Sequence, residues 1–173
     1  QNMADFFRYN VRKMEKDVTL QEELQLVDNY IYILNVRFAG DIHFTKKVDE
    51  SIMECRVPSM ILQPLVENAV NHGIRNIDWE GKILLEITGL EDNILIRVKD
   101  NGKGMSEERI REVLDGCMED TGEQSDSTGV GMNNVISRLE LYYDKKNLVE
   151  INSPGENMGT EIILTLPRTG GEK

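Results

Sequence analysis

The sequence predicts a two-layer α/β sandwich of the α+β class, with a mixed sheet and helices on one face. Three observations lead there. Two segments carry a single apolar stripe at helical spacing, so each has one face to bury. Two runs rich in β-branched residues lie next to each other with a short loop between them, which pairs them antiparallel. The order is helix, strand, helix, then strands with helices interspersed, and a helix-covered sheet accommodates that order.

Residues 1–16 read as the end of a helix, because Met3, Phe6, Phe7, Val11 and Met14 recur at helical spacing. A lone helix end has nothing to pack on, so it is expected to continue an upstream hairpin or dimer bundle. The next helix is better marked. Thr19 and Glu22 form a capping box, and Leu20, Leu24, Val27, Ile31, Leu34 and Phe38 follow as one stripe that Gly40 ends. Residues 42–48 are a plausible strand. A third helix is expected over 59–72 with Gly73 as its stop; Leu62, Leu65, Val66, Ala69 and Val70 share one face.

Strands are expected at 83–88 and 94–99, joined by 89–93. The second runs into Asp100-Asn101-Gly102-Lys103-Gly104, after which Ser106 caps a helix ending near Gly116. Residues 117–128 are polar with almost nothing to bury, and read as a mobile loop. Gly129-Val130-Gly131 opens a helix carrying Met132, Val135, Ile136, Leu139 and Tyr142, and strands near 148–152 and 160–166 close the chain. No repeat or linker interrupts 17–168, which is therefore expected to be one domain, with 169–173 a disordered tail.

Bulk properties narrow the function. A net charge of −11 and a pI near 4.7 leave no basic footprint for nucleic acid. An anionic ligand would need local help from helix N-termini, glycine-rich backbone, a lysine or a cation. Cys55 and Cys117 stand far apart with no zinc-ligand spacing, and two unpaired thiols fit a reducing compartment. No apolar run approaches the roughly 20 residues that span a bilayer, so no membrane contact is expected of these residues. The chain begins at Gln1, so it is expected to be a piece of a longer protein whose anchor lies upstream.

Three clusters could carry chemistry. Glu67, Asn68, Asn71 and His72 fall within roughly a 140° arc opposite the apolar set. That arc could be a plain solvated face, but Lys and Glu would suit such a face better than two asparagines and a histidine. An asparagine carbonyl suits a magnesium ion already held by phosphates. Asp100-Asn101-Gly102 could be a tight hairpin turn. It is followed by a helix start rather than a strand, and its two glycines would let backbone approach a flat ligand. Gly129-Val130-Gly131 at a helix start is either a hinge or an anion site. No P-loop, dinucleotide fingerprint or nucleophile elbow occurs. His43, in a predicted strand, reads as structural.

Taken in order, these clusters resemble the N, G1 and G2 boxes of the GHKL superfamily of histidine kinases, type II topoisomerases, ninety-kilodalton heat-shock chaperones and mismatch-repair ATPases. The matching stretches are Leu65 to Gly73, Asp100-x-Gly102-x-Gly104 and Gly129-Val130-Gly131-Met132, with Gly159-Thr160 before the last strand. Further stretches are similar to the LytS/YesM-type sensor kinases: Phe7-Arg8-Tyr9, Leu20 to Leu24, Tyr30, Arg37-Phe38 and Pro58 to Asn68.

The resemblance implies the Bergerat ATP-binding fold, preceded by the end of a dimerisation hairpin at 1–16. Its phosphoacceptor histidine lies upstream, since neither His43 nor His72 sits in that motif. It implies ATP and Mg2+ as ligands, with Asn68 holding magnesium against the phosphates and Glu67 supporting it. Asp100 would read the adenine amino group, with Thr160 nearby through water. Gly102 and Gly104 would leave room for the base, beside Met105. Gly129, Val130, Gly131 and Met132 would frame the phosphates, and His72 would pack near the nucleotide. Residues 105–128 would form a lid. Expected partners are the upstream hairpin, within a homodimer of the full protein, and a response regulator. The expected setting is the cytoplasmic part of a membrane-anchored bacterial kinase.

Two positions depart from the pattern. Asn71 stands where many histidine kinases carry a phosphate-contacting lysine; Lys103 or Arg138 are candidates to compensate. Pro64 stands where hydrolytic members carry a general-base glutamate. Histidine phosphotransfer needs no such base, whereas a conformational ATPase, the alternative reading, does.

Overall fold

A computed structural model of the chain describes residues 17–37, 42–116 and 127–168. The expected helix over 1–16, the end of the following helix at Phe38–Gly40, most of the expected loop at 117–126 and the tail 169–173 lie outside the described residues.

The main sheet has five strands: β2 (Ile42–Val48), β4 (Gly81–Gly89), β5 (Asn93–Asp100), β6 (Val149–Asn152) and β7 (Thr160–Pro167), in the order β2-β4-β5-β7-β6. It is mixed, as expected: β2 runs parallel to β4 and the other pairs are antiparallel. Alternation decides its two faces. Ile83, Leu85 and Ile87 on β4, Ile94, Ile96 and Val98 on β5, and Ile162, Leu164 and Leu166 on β7 are all buried. The residues between them face the other way and are mixed: Leu84, Leu95, Ile163 and Thr165 are half-buried beside the charged Glu86 and Arg97. Arg97 is paired with Glu86 and, at 3.1 Å, with Glu161, so an ion pair network crosses the middle of that face over three strands. The helices cover the apolar face, giving the two layers.

Helix α1 (Leu20–Arg37) buries Leu20, Leu24, Val27, Ile31 and Leu34. Its capping box forms: Thr19 N–H donates to Glu22 Oε2 at 2.9 Å, and Glu22 N–H donates to Thr19 Oγ1 at 3.1 Å. Two short strands escaped the sequence reading, β1 (Asp17–Thr19) and β3 (Arg56–Pro58), which pair antiparallel. Three residues are too few to display a period. Helix α3 (Glu107–Asp115) is capped by Ser106 Oγ and ends at Gly116 with φ 68°, as expected.

The helix expected over 59–72 is shorter and changes character. Helix α2 covers Leu62–Asn68 and passes into a π-helical turn at Ala69–Ile74. It starts late because Met60 sits at φ 60°, outside helical space. Gly73 does not stop it. A Cβ there would lie 2.7 Å from Asp100 Cγ, so Gly73 is a packing glycine inside the π turn. Helix α4 (Ser127–Tyr143) begins earlier than expected, so Ser127 and Thr128 are helical rather than loop.

Candidate nucleotide site

Helix α2 and its π turn deliver the first set of side chains. Asn68, Asn71 and His72 line a cleft of about 800 Å3 with Asp100, Gly104, Met105 and Thr160. The same three residues line an adjoining 120 Å3 cleft with Pro64, Glu67, Gly131 and Met132. Residues from each of the three sequence clusters therefore line two clefts that share Asn68, Asn71 and His72, whereas Gly102 is not in the lining of either. Gly129 and Val130 precede Gly131 in the first turn of α4.

Asn68 is 8% exposed, and its Oδ1 is buried with no hydrogen-bond partner among the described residues. An orphaned acceptor is costly, about 1–3 kcal/mol, unless something outside the protein uses it. Asn68 lines both clefts, and a neutral carbonyl-type oxygen is a donor that a hard cation accepts. Glu67 is engaged: Gln63 Nε2 donates to its Oε1 at 2.9 Å.

Asp100 ends β5 and is buried, paired in register with Thr160. Its carboxyl is pushed up to about 6, chiefly by burial, against the backbone N–H groups of Gly102 and Thr160 that favour the charged form. The Gly102 N–H donates to Asp100 Oδ1 at 2.8 Å. Adjacent Asn101 is a brace rather than a hairpin turn. Its Nδ2 donates to the Glu80 carbonyl at 2.8 Å and its Oδ1 accepts from Lys82 N–H at 2.8 Å. Trp79, the sole tryptophan, donates its indole N–H to the Asn101 carbonyl at 2.8 Å.

The glycines divide by role. A Cβ on Gly102 would meet the Gly73 carbonyl oxygen at 2.0 Å, and one on Gly104 the Gly155 carbonyl oxygen at 2.3 Å. Both therefore make room for the chain's own backbone, and Gly104 also lines the large cleft. Gly131 is different. It lies inside α4, its added Cβ would meet nothing within 4 Å, and it faces the small cleft. Glycine there lowers helix stability by about 0.5–1 kcal/mol relative to alanine, and no contact among the described residues requires it.

Cations sit where the sequence reading only partly looked. Lys103 lines the large cleft, together with Arg75 and Arg109. Arg138 does not line either cleft; its Nη1 donates to the carbonyls of Ser59 and Met60 at 3.0 and 2.9 Å. Arg75 and Arg109 carried no sequence signal, since each looks like an ordinary surface cation. Tyr30 is pushed up to about 12, by burial first and then by the charge of Glu67, with Arg75 acting in the opposite sense. His43 is exposed and paired with Glu80. The fully buried Glu23, whose carboxylate accepts from the N–H groups of Met60, Ile61 and Leu62, was also missed. Its signal was legible: a carboxylate on the apolar stripe, between Leu20 and Val27.

The family described as histidine kinase-, DNA gyrase B-, and HSP90-like ATPase matches residues 57–170, and the family described as histidine kinase matches residues 1–42. The chain is 32% identical over 163 residues to the sensor histidine kinase YesM of Bacillus subtilis, covering 94% of this chain and 26% of that protein. It is 30% identical over 171 residues to the sensor protein kinase HptS of Staphylococcus aureus, covering 99% of this chain and 32% of that protein. It therefore spans about a quarter to a third of these relatives' length. Among solved structures, the catalytic domain of histidine kinase ThkA superposes with a TM-score of 0.67 at 18% identity, covering 90% of this chain and 98% of that one. The mycobacterial sensor histidine kinase MprB superposes with a TM-score of 0.62 at 18% identity, covering 89% and 97%.

Proposed function

The chain belongs to the family of histidine kinase-, DNA gyrase B- and HSP90-like ATPases, and from that membership we propose that it is the catalytic ATP-binding domain of a two-component sensor histidine kinase. It binds Mg-ATP in the paired clefts and presents the γ-phosphoryl to a histidine on an upstream hairpin, for relay to an aspartate of a response regulator. The observation that carries this reading is the orphaned Asn68 Oδ1, buried where the two clefts meet.

Asp100 accepts the adenine amino group, with Thr160 beside it. Asn71 and His72 line the path to the phosphates, and Lys103, Arg75 and Arg109 offset the anionic charge that a protein of net charge −11 would otherwise repel. Gly131 leaves open space for a phosphate beside the first turns of α4. Bound magnesium, held through Asn68, would neutralise charge on the phosphate oxygens. Pro64 offers no proton acceptor, and Glu67 is tied to Gln63. Transfer to an imidazole needs neither, because the acceptor is itself the nucleophile and the protein supplies position and electrostatics.

We place the start of this domain at residue 17, since β1 pairs with β3 and α1 packs into the common core. Residues 1–16 belong to the hairpin side, in a homodimeric and membrane-anchored parent. Among the described residues no helix is long and apolar enough to cross a membrane.

The test supplies radiolabelled ATP and magnesium, with and without a separate hairpin carrying the upstream histidine. Acid-labile label on the hairpin alone is expected. Steady release of free phosphate without labelled hairpin would point to a conformational ATPase instead.

A further inference from the structure

Two polar side chains outside the clefts grip one corner of backbone from opposite sides. Glu23, on the buried face of α1, is 1% exposed, and its carboxylate accepts N–H groups of Met60, Ile61 and Leu62 at 2.6, 3.1 and 3.0 Å. Arg138, on α4, donates to the carbonyls of Ser59 and Met60 at 3.0 and 2.9 Å. Between them Met60 is held at φ 60°, a conformation that costs a side-chain-bearing residue about 1–2 kcal/mol. Stability alone would not select this arrangement, because burying a charge is expensive and well-packed apolar residues commonly do as well or better.

The corner lies at a consequential place. It leads directly into α2, which carries Glu67 and Asn68. Gly131 and Arg138 are seven residues apart, close to two turns of about 3.6 residues, so they share one face of α4. Gly131 meets Glu67 and Asn68 across the small cleft, at the far end of α2. Arg138 meets Ser59 and Met60, at the near end. The two helices therefore run antiparallel, with a hydrogen-bonded latch at one end and the cleft at the other. Sliding α4 along α2 would change the gap between Gly131 and Asn68, and the latch opposes that slide.

We propose that Glu23 and Arg138 are positioning residues of the phosphate site: by gripping both sides of the Ser59–Leu62 corner they fix the axial register of α2 against α4, and with it the space between Asn68 and Gly131. The proposal rests on the nucleotide reading. It predicts an effect concentrated at the phosphate end: Asp100 and Thr160 stand on the sheet and abut the π turn after α2, whereas Gly131 is carried by α4, the helix that the latch keeps from sliding.

The test uses the whole chain as wild type, Arg138→Met, Arg138→Lys and Glu23→Gln. Adenosine and Mg-ATP are titrated by calorimetry and by Trp79 fluorescence, with urea unfolding to confirm folding. In Arg138→Met adenosine affinity should stay within about twofold while Mg-ATP affinity falls about tenfold. Arg138→Lys, which still donates, should recover part of that loss, and Glu23→Gln, which weakens the other grip, should show the same selective loss. A folded Arg138→Met with an unchanged Mg-ATP to adenosine affinity ratio would overturn the proposal. If that variant does not fold, an unchanged ratio in folded Arg138→Lys would do the same. Wild type that binds neither ligand would overturn the nucleotide reading together with this one; wild type that binds both, beside variants of unaltered ratio, would overturn this one alone.

Discussion

Gly73 and Asp100 are packed so closely that one added carbon on the glycine would lie 2.7 Å from the carboxylate carbon. The π turn after α2 therefore presses its backbone directly against the carboxylate that ends β5. Gly73→Ala is expected to displace Asp100. Overpacking of this kind costs about 1–3 kcal/mol in stability, and adenosine affinity should fall with it. Urea unfolding and adenosine titration check both; a variant with unaltered stability and affinity would show that the contact is slack.

Asp100 also sets a pH dependence. Burial raises its folded-state pKa to about 6, above the roughly 3.9 of an unfolded aspartate. Its contribution to stability is therefore fully present below about pH 4 and lost as pH rises through 6. Binding runs the other way, since the adenine amino group needs an ionised acceptor. Adenosine, which has no titrating phosphate, should bind about tenfold more weakly at pH 5 than at pH 7. Affinity that is flat across that interval would remove Asp100 from the adenine contact. Asp100→Asn should bind adenosine weakly at both pH values.

Asn68→Leu separates ligand binding from folding. The Oδ1 has no partner among the described residues, so its loss should leave stability unchanged or raise it by up to about 1–3 kcal/mol. Mg-ATP affinity should drop about tenfold or more while adenosine affinity holds. Destabilisation with unaltered Mg-ATP binding would mean that the asparagine serves the core.

Gly131→Ala should act in opposite directions on fold and ligand. A methyl group there meets open space, so helix propensity should raise stability by about 0.5–1 kcal/mol. The same methyl group enters the small cleft and should weaken Mg-ATP binding. Thermal melts and calorimetry read the two effects, and a gain in stability without loss of affinity would take Gly131 out of the phosphate site.

Local pattern alone determined much of this protein. Alternation in 83–88 and 94–99 specified strands with one apolar face, and the Thr19–Glu22 box specified where α1 begins. Side-chain period and cap chemistry act over a few residues, so they are written in the local sequence. The motif residues Asn68, Asp100 and Gly131 were legible for a similar reason: each is an unusual choice for its immediate surroundings. Tertiary structure alone decided the rest. Gly73 looked like a helix stop, but it is glycine because Asp100, far along the chain, packs onto it. Gly102 and Gly104 carry a duty that their motif does not display: their missing side chains let one stretch of backbone cross another. Helix α2 starts at Leu62 rather than Ser59 because Glu23 and Arg138 hold Met60 in a conformation that its neighbours would not choose. In each case the deciding partner is distant in sequence, and only the folded chain brings its energy to bear.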